Sequence, residues 1–242
     1  MNNFVNKTAK TKKTSPDNVI KIIAICEKYG VEITGNVFSR TPEDVEKIIL
    51  LCKEHKLNVD NMKTCFRKTA KEFEEIIEIC EKHHIFIEPI IFYSKPKDLE
   101  KTIEYVSNFS TLYLKPTLLV KDLEKLQRSM PYMKKLGLLK YAVKDPGVLE
   151  LSVEEIRERT AALLCAEYPI HQFKRYSQED RLSSVYTLSK KSFEKFLIDN
   201  SISAFSMQLK KDWILEKERQ IEEQIKIKQQ EKNKREQEVE KE

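Results

Sequence analysis

A period of 26 to 28 residues constrains this chain more than any other feature. Ser15-Pro16-Asp17-Asn18-Val19 is followed 26 residues later by Thr41-Pro42-Glu43-Asp44-Val45. Thr69-Ala70-Lys71-Glu72-Phe73 comes 28 residues after that, and Lys95-Pro96-Lys97-Asp98-Leu99 another 26 on. A fixed period of this size marks one supersecondary unit repeated along the chain. Ser or Thr before Pro reads as a helix N-cap followed by the first helical residue: the hydroxyl accepts an orphan amide, and Pro has no amide to leave unpaired. Thr69 with Glu72, and later Ser152 with Glu155, fit a capping box.

Each opening leads into one apolar stripe at i, i+3, i+4 and i+7, the spacing of a single helical face. The stripes are Val19, Ile22, Ile23, Cys26; Val45, Ile48, Ile49, Cys52; and Phe73, Ile76, Ile77, Cys80. The fourth holds Leu99, Ile103 and Val106, with Thr102 interrupting it. The helices are expected to stop near Gly30, Lys56, His84 and Ser110. Only Gly30 suits a left-handed C-terminal position well. A short second helix is expected in each repeat, in the register of Gly35-Asn36-Val37-Phe38, Lys63-Thr64-Cys65-Phe66, Pro89-Ile90-Ile91-Phe92, Pro116-Thr117-Leu118-Leu119 and Pro146-Gly147-Val148-Leu149. One such pair cannot bury its own apolar face, whereas stacked copies can. The expected fold class is therefore all-α: an α-solenoid of helical-hairpin repeats with a long charged C-terminal helix.

Composition agrees. Charged residues make up 34% of the chain and there are only four Gly, which suits helices better than sandwiches or Gly-rich α/β folds. The net charge of +5 is unevenly spread. Residues 1–14 hold Lys7, Lys10, Lys12 and Lys13 and no acid, residues 15–150 hold 22 basic and 21 acidic side chains, and residues 151–242 hold 18 of each. Three regions are expected: a basic disordered tail over 1–14, which doubles as an arm able to touch phosphate, a repeat domain over 15–200, and a charged helical tail over 201–242. Within the repeat domain, Tyr168–Ser184 reads as a loop or insertion. In the tail, Leu209, Trp213 and Ile214 make an amphipathic patch that Ile221 and Ile225 continue thinly, so either a short coiled coil or a lone helix is expected. No apolar run approaches membrane-spanning length and the N-terminus has no apolar signal core, so no membrane partner is expected. Five Cys inside apolar patterns read as buried thiols in a reducing cytoplasm.

The recurring Pro-x-apolar-Leu/Phe ends, Leu136-Gly137 after a long helix, and Ser152…Glu155-Ile156…Arg159 ahead of Ser189…Phe193…Phe196 together resemble the mitochondrial transcription termination factor (mTERF) family of helical-repeat proteins. The resemblance covers about residues 15–200. It implies a superhelix whose concave basic groove holds double-stranded nucleic acid, in transcription or in organellar RNA and ribosome work. The chain departs from the family pattern in its short first repeats, in the missing Pro of the first two short elements, and in its nearly charge-neutral body.

Three sets of residues invite chemical readings. Cys52-x-x-His55 and Cys80-x-x-His83 have zinc-ligand spacing. The repeat register puts Cys26 and Val106 in the Cys column and Tyr29 and Phe109 in the His column, which asks for packing instead. Phe38, Phe66 and Phe92 share a column that is expected to be core, because Leu119 and Leu149 replace them. Just after that column come Arg40, Arg67, Lys68, Lys95 and Lys121, with Lys140 and Lys144 farther on. They read either as a solvated rim or as a phosphate-tracking stripe. No nucleophile-base pattern, paired carboxylates or phosphate loop appears, so neither an enzyme nor a cofactor is expected. The expected function is nucleic-acid binding, with double-stranded DNA or RNA as partner. The alternative is a protein-interaction scaffold that meets a partner through its tail.

Overall fold

The computed structural model describes residues 2–58, 64–173 and 180–239. The chain divides into two compact units, 1–123 and 124–242. The expected repeat domain over 15–200 is thus split after Leu123, and the C-terminal tail belongs to the second unit. Helix dominates both units, and among the described residues no helix is long and apolar enough to cross a membrane.

The first unit runs α1 (Asn2–Lys12), α2 (Pro16–Tyr29), α3 (Pro42–Glu54), α4 (Ala70–Lys82), α5 (Pro96–Ser107) and the short α6 (Pro116–Leu119). The second elements of the first three repeats are single 3₁₀ turns: Val37–Ser39, Cys65–Arg67 and Pro89–Tyr93. A further 3₁₀ turn, Thr111–Tyr113, precedes α6. Each long helix packs on the next, and each of the three repeat turns packs on its successor. The core between the two rows is what the periodicity asked for. Val45, Ile48, Ile49 and Cys52, and the matching residues of α4, are buried, as are Phe38, Phe66 and Phe92. Thr102 is buried in the fourth stripe, where its hydroxyl donates to Asp98 O at 2.8 Å and so removes the cost of an unpaired polar group.

The helix starts follow the capping chemistry. Ser15, Thr41 and Thr69 accept from the amides of Asn18, Asp44 and Glu72. Glu72 closes a capping box on Thr69, and Glu155 one on Ser152. Backbone amides hydrogen-bonded to these carboxylates, Thr69 N–H and Ser152 N–H, hold both below the usual Glu range. A group whose pKa is lower folded than unfolded stabilises the fold above its unfolded pKa, and that stability is lost as pH falls through the folded value. Glu72→Gln is therefore expected to lower the melting temperature at neutral pH, where the ionised cap acts, and to leave it little changed at acid pH where wild-type Glu72 is protonated, so that the acid limb of the profile flattens. An unaltered acid limb would argue against the capping role.

The helix ends depart from expectation. Gly30 takes the left-handed conformation (φ +68°), but so do Lys56 (+55°) and His84 (+54°). All three ends close the same way. The amides of Val31, Leu57 and Ile85 donate back to Cys26 O, Cys52 O and Cys80 O at 2.7–2.9 Å, and those of Gly30, Lys56 and His84 to the carbonyl three residues earlier. This is a Schellman closure, with an apolar residue just beyond the left-handed one. Its two hydrogen bonds outweigh the Cβ penalty at Lys56 and His84. Lys56→Gly and His84→Gly are expected to raise stability by about 0.5–1 kcal/mol each, since a penalty near 1–2 kcal/mol is relieved while glycine loses more chain entropy on folding. Urea midpoints at constant m-value measure this.

The amino end is not a disordered tail: α1 is helical, buries Val5 and Ala9, and packs on α2.

The second unit runs α7 (Leu123–Lys135), α8 (Leu139–Ala142), a 3₁₀ turn (Pro146–Glu150), α9 (Val153–Cys165), an antiparallel pair β1 (His171–Phe173) and β2 (Asp180–Leu182), a 3₁₀ turn (Ser184–Thr187), α10 (Lys190–Asp199) and α11 (Ala204–Val239). The strand pair stands where a loop is expected. The 36-residue α11 packs on α9 through its first half, burying Met207, Ile214 and Glu218. From Glu222 to Gln237 every residue is exposed. The docked half carries a polar network. Tyr132 donates its hydroxyl to Glu218 Oε1 at 2.6 Å, and Arg157 donates to both Glu218 oxygens at 3.3 and 3.2 Å. Burial, reinforced by Glu218, pushes the Tyr132 phenol well above its ordinary range. Lys211 reaches Glu154 and Glu158, and Lys135 reaches Glu222.

Candidate nucleic-acid interface

The basic stripe resolves into residues with different jobs. Arg40 follows the first 3₁₀ turn and reaches across to the second repeat. Its Nε donates to Phe66 O at 3.0 Å, and a terminal guanidinium nitrogen donates to Arg67 O. Two carbonyls at the end of a 3₁₀ turn are satisfied from outside the turn, which fixes the backbone that carries Arg67. Lys68 is only 8% exposed, and its charge, with that of Arg40, helps keep Glu72 ionised. Thr64 secures the same segment from the other side by donating its hydroxyl to Pro89 O at 2.7 Å.

Arg67 itself points outward. Its guanidinium lies over the ring of Tyr93, 4.8 Å from the centroid, and Tyr93 is 54% exposed. Lys95, two residues beyond Tyr93, is exposed and occupies the N-cap of α5 without a side-chain cap bond. The ends of the second and third 3₁₀ turns therefore present an arginine stacked on an aromatic ring with a lysine close in sequence. The packing of the two turns on each other sets their separation.

No protein-family model, curated protein or solved structure matches this chain.

The remaining stripe residues lie elsewhere. Lys121 is half-buried just past α6. Lys140 and Lys144 belong to the second unit, where the Lys140 ammonium sits 4.7 Å over the ring of Tyr141 and Lys144 is half-buried. Arg40 and Lys68 each precede an N-cap residue, Thr41 and Thr69, while Lys95 is itself an N-cap and Arg67 stands one place earlier. The stripe thus occupies three registers, not one.

Three long-helix cations pair with acids on the next helix. Lys28 meets Glu46 at 2.9 Å, Lys47 meets Glu74 at 2.7 Å and Lys82 meets Glu100 at 3.3 Å, each on the next helix. Tyr29 donates to the same Glu46, and the Lys28 hydrogen bond, ahead of that from Tyr29, lowers the Glu46 pKa. These exposed pairs contribute little stability each, but they leave Lys28, Lys47 and Lys82 with a counter-charge. His55 joins the series, its ring Nδ1 2.7 Å from Glu81, while Cys52 faces the core. The zinc-like spacing therefore serves two different surfaces. Burial pushes the Cys80 thiol up to about 12, which disfavours the thiolate a metal requires.

Sequence reasoning missed Tyr93. Ile91 and Phe92 already fill the two core places of the turn, so a third consecutive apolar or aromatic residue had to face outward.

Proposed function

We propose that this chain is a nucleic-acid-binding helical-repeat protein, an α-solenoid of the mTERF type that acts by binding and not by catalysis. The observation that carries the reading is the exposed Arg67–Tyr93 stack, with exposed Lys95 two residues beyond Tyr93, on a backbone pinned by Arg40 and Thr64. Arg67 and Lys95 contact phosphates, the ring of Tyr93 holds the guanidinium in place, and Arg40 and Lys68 support the segment from beneath. Double-stranded DNA or RNA is the ligand class that the resemblance implies. Attraction through two phosphate contacts is independent of sequence and falls with salt, about tenfold between about 50 and about 200 mM. Fluorescence anisotropy with labelled duplex DNA, duplex RNA and the separated strands tests the reading. The Arg67→Glu/Lys95→Glu variant is expected to lose at least about tenfold in affinity. Equal binding by the variant and the wild type rejects the proposal.

A protein-interaction scaffold is favoured by a different observation. Phe205, Leu209 and Trp213 are exposed on α11, on the side opposite Met207, Ile214 and Glu218. Three large apolar side chains at i, i+4 and i+8 form a continuous outward stripe. In this reading the stripe mediates assembly, and Leu209→Asp/Trp213→Asp lowers the mass measured by light scattering. A monomer in both cases removes the assembly role.

A further inference from the structure

We infer a separate binding site for a small amphipathic anion, in the cleft between α1 and the segment that links α2 to the first 3₁₀ turn. The cleft encloses about 380 Å³. Its floor is apolar: the rings of Phe4 and Phe38 meet edge to face with centroids 6.2 Å apart, and the partly exposed Ile33 extends that surface. Its rim is cationic. Lys7 and Lys12 both line it, and the Lys12 ammonium lies 3.8 Å from where a Cβ on Gly35 would sit. No acidic residue lines the cleft, and among the described residues neither ammonium has an acidic partner. The Thr34 hydroxyl oxygen in its wall is shut off from solvent and has no hydrogen-bond partner among the described residues.

These features constrain the occupant. Lys28, Lys47 and Lys82 on α2, α3 and α4 each meet a glutamate, whereas Lys7 and Lys12 meet none among the described residues. A neutral apolar ligand would cover the Phe4–Phe38 floor and leave two ammonium groups without counter-charge. A bare inorganic anion would answer the charge and leave the apolar floor in water. An apolar or flat body carrying one carboxylate or phosphate answers both. An aliphatic acid and a nucleoside monophosphate share this chemistry. The site uses neither Arg67 nor Lys95, the two residues proposed to contact phosphates, so it stands or fails separately from that proposal.

Isothermal titration of the full chain with decanoate, with uridine monophosphate and with decyltrimethylammonium tests the inference. One equivalent of decanoate, of the monophosphate or of both is expected to bind, and which one does so identifies the source. The cationic amphiphile is expected not to bind. Lys7→Gln/Lys12→Gln is expected to weaken binding by about tenfold without moving the melting temperature, as two exposed ionic contacts are lost. Thr8→Trp, which fills the cleft from α1, is expected to block it. Binding of neither anion overturns the inference. So does undiminished binding by the Lys7→Gln/Lys12→Gln variant, or equal binding of the cationic amphiphile.

Discussion

Replacing Arg157 by alanine is expected to cost the second unit about 3–5 kcal/mol, the cost of stranding one member of a buried ion pair. The Glu218 side chain is 10% exposed and that of Arg157 14%, and the guanidinium donates to both carboxylate oxygens. Without it, Glu218 keeps, among the described residues, only the Tyr132 hydroxyl as a close partner in a site that water barely reaches. The pair as a whole is worth far less than its breakage costs. Removing both charges, as Arg157→Met/Glu218→Leu, is expected to be near neutral or mildly stabilising, because the desolvation penalty disappears along with the attraction. Urea unfolding of the single and double variants reads the difference directly. A single variant that loses under about 1 kcal/mol would mean that Met207 and Ile214 hold α11 unaided.

The second large effect lies in the first unit. Phe73 of α4 stacks on Phe92 of the third 3₁₀ turn, with ring centroids 4.6 Å apart and planes 23° apart, both fully buried. Phe73→Ala or Phe92→Ala is expected to cost about 3–5 kcal/mol, since each removes buried ring surface and leaves a cavity. Phe92→Leu is expected to cost about 1 kcal/mol, because Leu119 and Leu149 fill the same column elsewhere. A cost as large for leucine as for alanine would show that the column requires a ring and not merely volume.

Much of the first unit was legible from local signals. The i, i+3, i+4, i+7 stripes, the Ser/Thr caps and the Cys column are each set within one turn or two of a helix, and every stripe residue of α3 and α4 is buried, joined by Pro42, Leu51 and Ala70. What was not legible depends on residues distant in sequence. Val5 and Ala9 look like isolated apolar residues in a lysine-rich end, and they become core only because α2 covers them. Lys56 and His84 are poor left-handed residues by local preference, yet the closing hydrogen bonds hold them there. The docking of α11 rests on Tyr132 and Glu218, which lie 86 positions apart. The same distinction divides the candidate site. The cations were visible as a recurrence, but their roles follow from burial: Arg40 reaches into the next repeat, Lys68 is covered, and Arg67 faces water over a tyrosine that periodicity had no reason to single out.

Repeats of this kind bury their apolar faces only against one another. Hydrogen–deuterium exchange of the full chain carrying Phe73→Ala tests this most directly. Coupled repeats predict that protection falls in α3 and α5 as well as in α4, because each is packed on the destabilised helix. Loss of protection confined to α4, with α3 and α5 exchanging as in the wild type, would contradict it.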